Sequence, residues 1–350
     1  MAVILVVTSA PPLVEGGHMV IARSLQRALV EAGHQATIAT TPSNRFGRQA
    51  SAYLANWLTD VGQTGDGHKI DQVISLRYPS FAVRHPRHVS WLNHTMREYY
   101  DLWEGFAAGL SPHGRIKERA RRAVIHAADT YFLKRVSKRF VQSETIRARL
   151  QRWNHLDAEV LHPPAPPRNY RCDGYGDYLF FASRLDPLKR ADLVLRAMAA
   201  PAAQNVRCVI GGEGSLRPSL EALARELGLD SRATFVGRLD DDGLTRHLAA
   251  CRAVIFPPKD EDYGFVTIEA FESAKAVITT TDSGGPLDLV RQDRNGIVAE
   301  PTPASLAVAM ARLMDDAGGA ERMGQQALRD AAPLTWAATV ERLTTGLPRG

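Results

Sequence analysis

Residues 257–281 read PPKDEDYGFVTIEAFESAKAVITTT, and three changes of character follow one another within them. A β-branched run, Ala253–Phe256, leads in, and a polar loop with two prolines follows it. Gly264 then precedes the apolar run Phe265, Val266, Ile268 and Phe271, and a second β-rich run, Ala276–Thr280, closes the stretch. The order is strand, loop, short helix, strand, which is the grammar of a parallel sheet with covered faces. Glu261 and Glu269 stand eight positions apart in it. The first lies in the loop and the second lies among apolar neighbours, where an ordinary core helix would not place a carboxylate. The plain reading of the pair is two exposed glutamates on a helix face. The functional reading is a pair of carboxylates that accept hydrogen bonds from vicinal hydroxyls.

The same alternation extends in both directions. Before residue 165 the expected strands are Ala2–Thr8, Gln35–Thr40, Asp71–Leu76, His88–Leu92, Lys138–Gln142 and Ala158–His162, with helical patterns between several of them. After residue 177 they are Tyr178–Ala182, Val206–Ile210, Ala233–Val236, Ala253–Phe256, Ala276–Thr280 and Gly296–Ala299. The segment HPPAPPRNYRCDGYGDY, residues 162–178, separates the two series with four prolines and two glycines. It reads as a linker. The expectation is an α/β chain of two facing, doubly wound parallel-sheet domains with a cleft between them, residues 1–165 and 166–333. The last helical pattern, within 334–347, is expected to cross back to the first domain.

Bulk properties exclude several classes. The chain has 350 residues, 45% hydrophobic and 23% charged, the balance of a soluble globular protein. Three cysteines, far apart and odd in number, argue against a disulfide framework or a structural zinc site. The run Ala2–Val7 lacks a basic leader and reads as a buried strand rather than a signal peptide. No apolar run approaches the ~20 residues that span a bilayer, so a cytoplasmic or peripheral protein is expected. The net charge of +5 is uneven, with +8 on residues 1–165, −3 on the rest, and +9 concentrated in residues 111–152. That stripe is either a solvated helical face or a surface for an anionic partner.

Three further stretches place chemistry-bearing residues at strand ends. In SAPPLVEGGHMVIARSLQRAL, residues 9–29, Gly16 and Gly17 open a helix, where backbone amides suit an anion; the spacing is not G-x-G-x-x-G. In SRLDPLKRADLVLRAM, residues 183–198, Arg184 and Lys189 flank a strand-to-helix loop and suit a diphosphate, or are two surface cations. In VSWLNHTMREYYDLW, residues 89–103, His94 ends a strand with Arg97, Tyr99 and Tyr100 after it. The alternative for His94 is a structural histidine in an aromatic cluster.

These segments, with VIGGEGSLRPSLEALARELGL, ATFVGRL and DSGGPLDLV…NGIVAEP in the same order, resemble the family-4 retaining glycosyltransferases, from about residue 2 to residue 345. The resemblance implies the GT-B fold and transfer of a hexose-type sugar from a nucleotide-diphospho sugar, GDP- or UDP-linked, to a hydroxyl acceptor, and the EDYGFV form is most similar to that of enzymes with mannosyl-type donors. It implies no cofactor and no metal. Arg184 and Lys189 match the diphosphate-binding pair, Glu261 and Glu269 the E-x7-E motif at the sugar and the ribose, and Tyr263, Gly264, Phe265 and Val266 the backbone facing the donor. Gly16 and Gly17 would reach the donor from the first domain, His94 would contact the transferred sugar, and Glu213 and Arg238 lie where the base is often held. His18, Arg97 and Tyr99 would lie on the acceptor side. Asp288 departs from the family, which more often has Glu there, and is not taken as a site residue. The acceptor could be an envelope polysaccharide, a lipid-linked glycan or a small aglycone, and the basic stripe could meet anionic membrane; no nucleic acid is expected. The alternative is a nucleotide-sugar epimerase or phosphorylase on the same scaffold.

Overall fold

A computed structural model describes residues 1–10, 17–42 and 47–347. The chain divides into two compact units, Met1–Pro163 with Leu334–Gly350, and Pro164–Pro333.

The first unit is built from β1 (Val3–Ala10), α1 (Gly17–Glu31), β2 (Gln35–Pro42), α2 (Gln49–Leu58), β3 (Gln72–Ser75), β4 (His88–Leu92), α3 (Trp103–Ala108), α4 (Pro112–Arg135), β5 (Lys138–Val141), α5 (Glu144–Asn154) and β6 (Glu159–Val160). Its strands form one parallel sheet in the order β2-β1-β3-β4-β5-β6. Central strands carry apolar residues on consecutive positions because both faces are covered; Ile4, Val6, Val7, Val73, Ile74 and Trp91 are all fully buried.

The second unit follows with β7 (Leu179–Ala182), α6 (Ala191–Met198), β8 (Cys208–Gly211), α7 (Arg217–Glu226), β9 (Ala233–Gly237), α8 (Asp241–Ala250), β10 (Ala253–Ile255), α9 (Phe265–Glu272), β11 (Val277–Thr280), α10 (Pro286–Leu289), β12 (Gly296–Ala299), α11 (Pro303–Asp315) and α12 (Ala317–Ala331). Its sheet is also parallel, in the order β12-β11-β10-β7-β8-β9. The chain leaves β7 in one direction through β8 and β9, then returns to β10 on the other side of β7. The order reverses between β7 and β10, and a crevice opens at the carboxyl ends of strands where this happens. The loop after β7 carries Arg184 and Lys189, and the loop after β10 carries Glu261 and Gly264. The topology therefore gathers these four positions at one point.

The last helix, α13 (Trp336–Leu343), belongs to the first unit. It packs on α1. Gln72 Nε2 donates to the Leu343 carbonyl at 2.7 Å, and the Trp336 and Trp91 rings meet edge to face at 6.1 Å.

Candidate functional site

Several helices start on a side-chain cap: Ser111 for α4, Ser143 for α5, Asp240 for α8, Thr302 for α11 and Asp316 for α12 each accept from a first-turn amide. Helix α9 has no such cap and no acidic residue in its first turn. Gly264 stands at its N-cap with φ 81° and ψ 74°, a left-handed conformation that a residue with a Cβ adopts only at a cost. A Cβ there would lie 2.7 Å from the Phe256 ring. The Thr267 amide donates to the Gly264 carbonyl at 3.0 Å, while no cap side chain takes the amides of Phe265 and Val266, where the helix dipole favours an anion.

The loop before α9 is held in place by side chains the sequence reading did not single out. Arg190 has φ 54°, caps α6, and directs its guanidinium at the carbonyls of Pro257 (2.8 Å) and Pro258 (2.6 Å), at Thr280 Oγ1 (2.8 Å) and at both oxygens of Asp282 (2.7 and 2.9 Å). One planar fork ties the loop after β7 to the loops after β10 and β11. Glu261 then pairs through its backbone with residues 283–285: its N–H donates to the Ser283 carbonyl at 2.8 Å and its carbonyl accepts from Gly285 at 2.8 Å. Gly284 and Gly285 permit this approach, since a Cβ on either would fall within 2.6 Å of the 260–263 backbone.

On this frame Lys189 Nζ is ion-paired with Glu261 Oε2, both largely shielded from solvent. Arg184 extends outward, 78% exposed along its side chain, with Asp186 at 3.3 Å. A largely shielded ion pair and an exposed guanidinium give the crevice one cation beside a carboxylate and one reaching into solvent. Tyr263 is buried, its ring meeting Phe265 at 5.3 Å, and burial together with the Asp288 carboxylate pushes its phenol well above the ordinary range. Val266 is buried in the first turn of α9.

Glu269 is only 5% exposed. Arg168 Nη1 is ion-paired with its Oε1, and the Tyr170 hydroxyl lies 3.4 Å from the same oxygen. Arg168 Nε also binds Asp241 at 2.8 Å. Burial pushes the Glu269 carboxyl above its ordinary range, against the opposing pull of Arg168 and Tyr170. Both partners lie in the proline-rich segment expected to be a simple linker. That segment instead forms a strap along α9. Glu213 pairs with Arg217 at the start of α7, and Gly237 lies against both side chains. Arg238 follows β9 and lines an open depression with Asp240, Asp241, Asp242 and Arg246.

In the first unit, His94 follows β4, with Nδ1 2.7 Å from the Thr95 carbonyl. Gly17 is the first residue of α1, whereas Gly16 and the side chain of His18 lie outside the described residues. Arg97 binds Asp101 at 2.8 and 2.5 Å. Tyr99 is fully buried, stacks beside Trp103 and donates its hydroxyl to Glu118 at 2.8 Å. It is a packing residue of the α3–α4 corner rather than a surface facing an acceptor. Among the described residues, no helix is long and apolar enough to cross a membrane.

Residues 170–330 match the family model of glycosyl transferases group 1. A D-inositol 3-phosphate glycosyltransferase of Thermomonospora curvata is 33% identical over 177 residues, 47% of this chain and 41% of that protein. The matched part thus spans about two fifths of that relative's length. Among solved structures, the sucrose-phosphate synthase of Thermosynechococcus elongatus superposes with a TM-score of 0.74 at 17% identity, covering 98% of this chain and 97% of that one. The Anabaena protein HepE, solved with UDP-glucose, gives 0.69 at 14% identity, covering 98% of this chain and all (100%) of that one. The likeness to both lies in the fold.

Proposed function

From the match of residues 170–330 to the model of glycosyl transferases group 1, we propose that this protein transfers a hexose-type sugar from a nucleotide-diphospho sugar to a hydroxyl acceptor, with retention of anomeric configuration. The observation that carries the reading is the crevice at the reversal of strand order in the second unit. There Arg184 and Lys189 follow β7, Glu261 and the uncapped start of α9 follow β10, and Glu269 stands one turn into α9. This is what a sugar diphosphate requires: cations and free amides for the phosphates, and carboxylates for hydroxyls on either side.

The role of each group follows from where charge develops. As the bond between the anomeric carbon and the phosphate oxygen breaks, negative charge accumulates on the leaving diphosphate. Arg184, Lys189 and the α9 amides are placed to hold it, a contribution of about 10²–10³ in rate for one such donor. The acceptor oxygen bonds to the same face of the anomeric carbon, and its proton passes to the departing phosphate oxygen. No protein nucleophile enters this scheme, and the fixed cations supply the charge stabilisation without a metal. Glu261, carried on the Arg190 frame, faces the sugar hydroxyls; Glu269 takes the ribose. Glu213 and Arg238 border the base. The first unit holds the acceptor.

Helix α4 supports a second part of the reading, contact with an anionic membrane. Ile116, Val124 and Tyr131 are 69%, 65% and 53% exposed. At 100° per residue they fall within about 80° of one another. Arg115, Lys117 and Arg119 flank this apolar face at one end, and Lys134 and Arg135 at the other, all exposed. An apolar stripe framed by cations suits the boundary between headgroups and acyl chains, where each cation contributes about 1 kcal/mol. Flotation with vesicles of anionic lipid, but not of neutral lipid alone, is expected, and it should be lost on replacing Lys117, Arg119, Lys134 and Arg135 by Glu.

The decisive experiment is a donor panel. The purified protein is incubated with UDP-, GDP- and dTDP-sugars, and nucleoside diphosphate release is measured alongside calorimetric binding. One nucleotide series should bind and be hydrolysed slowly. Binding and hydrolysis of none would overturn the reading, and isomerised sugar nucleotide without diphosphate release would point to an epimerase.

A further inference from the structure

At the start of β4, the end of that strand away from His94, the C-terminal ends of α2 and α4 and residues 81–88 enclose a pocket of about 290 Å³. Trp57, Phe81, Val83, Pro86 and Phe132 line it, and among the described residues no acidic side chain does. Arg84 and Arg135 stand at it, both exposed. Arg84 Nε donates to the Trp57 carbonyl at 3.2 Å, and its guanidinium lies 4.5 Å from the centre of the Trp57 ring. The last turn of α2 thus already has its cation, and the Arg84 Nη atoms meet no protein acceptor among the described residues. The Arg135 guanidinium lies 5.2 Å from the centre of the Tyr131 ring and likewise has no carboxylate partner among the described residues. Two guanidiniums with no acid opposite them leave the pocket positive. Apolar surface continues from it. Leu54 and Leu58, one turn apart on α2, are 53% and 61% exposed. Helices α2 and α4 are neighbours, with the Tyr53 and Phe132 rings stacked at 5.5 Å. At 100° per residue Arg135 falls within about 40° of Tyr131 and about 20° of Val124, so one wall of the pocket stands at the end of the exposed stripe of α4.

We propose that this pocket binds the headgroup of one anionic glycerophospholipid, with its phosphate on Arg84 and Arg135 and its chains along Leu54, Leu58 and Tyr131. The proposal deepens the membrane contact read from α4 and rests on it. The pocket, at about 290 Å³, is at the small end of ligand sites, which begin at roughly 300 Å³; it has room for a headgroup and not for a whole lipid. Guanidiniums bind phosphate oxygens as a fork, and the exposed apolar side chains beside them find a matching partner in acyl chains. A free phosphate would use the arginines and leave Leu54 and Leu58 in water. A choline headgroup would bring a third cation to the two arginines. An anionic lipid satisfies both the charge and the apolar surface.

The test uses the full-length protein and dihexanoyl phosphatidylglycerol below its critical micelle concentration. Calorimetry should show saturable binding of a single molecule per chain, with a change in tryptophan emission that Trp57→Phe removes. Dihexanoyl phosphatidylcholine and inorganic phosphate should each bind at least about tenfold more weakly, and the double variant Arg84→Gln, Arg135→Gln should lose at least about tenfold in affinity for the anionic lipid. Both arginines are exposed, so the double variant should keep the circular dichroism and the donor hydrolysis of the wild type. Absence of saturable binding by the wild type overturns the proposal, as does unchanged affinity in the double variant. Equal binding of inorganic phosphate would make this a free-anion site, and equal binding of the choline lipid would remove the selectivity; either result also overturns it. Vesicle flotation separates this outcome from the broader reading. Flotation of wild-type protein that binds no short-chain lipid leaves the α4 contact standing and removes the lipid site, whereas loss of flotation as well removes both.

Discussion

Glu269 stands in a sequence context that suits a core helix, and its environment explains how a carboxylate is kept there. Arg168, Tyr170 and the strap that carries them give it a cation and a hydroxyl inside an otherwise apolar shell. A buried carboxylate with such partners is oriented, and an oriented carboxylate can accept from two adjacent hydroxyls of a ribose. Glu269→Gln is expected to weaken nucleoside diphosphate binding by about ten- to a hundredfold, the usual worth of a hydrogen bond to a charged group. Calorimetry checks this, and unchanged affinity would reduce Glu269 to a structural partner of Arg168. A second residue-scale feature lies in the first unit. Asp129 of α4 is fully buried, accepts from the hydroxyls of Tyr53 and Tyr100, and is pushed up to about 7 by burial, with both tyrosines pulling the other way. The folded state therefore holds a proton that the unfolded chain releases near the ordinary carboxylate value. The Asp129 contribution to the stability of the first unit should fall as pH rises from about 4 to about 7, by on the order of a few kcal/mol, against the opposite contribution of His88 in the same unit, whose imidazole burial pushes down to about 4. All five tryptophans lie in this unit, at positions 57, 91, 103, 153 and 336, so their fluorescence during urea unfolding reports it alone. Asp129→Asn should remove the falling part and leave a stability that rises with pH over this range, and an unchanged profile would show that Asp129 is not protonated in the folded state.

At the scale of elements, loops rather than helices set the precision of the crevice. The loops after β7, β10 and β11 meet at the Arg190 guanidinium, and Glu261 is placed by backbone pairing with residues 283–285. Arg190 touches no candidate ligand position in this arrangement; it acts through Glu261 and Lys189. Arg190→Lys keeps the charge and loses the fork, so it should be nearly as damaging as Arg190→Ala. Both are expected to lower kcat/KM by about a hundredfold through misplacement, with protein that still folds by circular dichroism. Full activity in Arg190→Lys would show that only charge matters at this position. Strand positions were legible because buried parallel strands are short β-branched runs, and each expected strand corresponds to an observed one within a few residues at either end. Arg190 and Arg168 were not legible as partners. Each lies 67 or more positions from a residue it binds, and nothing in local periodicity links Arg168 to Glu269, 101 positions away. The signal that could have been used is the adjacency of Arg190 to the Lys189 cation, and the presence of Arg168 and Tyr170 in a segment otherwise made of prolines.

At the scale of the whole chain, the two sheets share a plan and differ in what completes them. The first unit is finished only by residues from the far end of the chain. Val340 and Leu343 of α13 are buried, Gln72 is bonded to the Leu343 carbonyl, and Arg342 is paired with Glu159. Ending the chain at Pro333 should destabilise the first unit by at least about 3 kcal/mol, since two buried aliphatic side chains alone are worth that much. The remaining four tryptophans, at positions 57, 91, 103 and 153, would report the loss, while the second unit should unfold as before. What the sequence determined by itself was the order of elements, the parallel sheets, and the identity of Arg184, Lys189, Glu261, Gly264 and Glu269 as residues at strand ends and helix starts. Those follow from local rules: apolar periodicity, the conformational freedom of glycine, and the placement of loops at the carboxyl ends of parallel strands. Only the tertiary structure decided that Glu269 is buried against Arg168, that Tyr99 packs inward, that Lys189 pairs with Glu261, and that the proline-rich segment is a strap anchored on Glu269. Each of these depends on contacts between residues far apart in the chain, and such contacts are set by how the elements pack rather than by any pattern that neighbouring residues display.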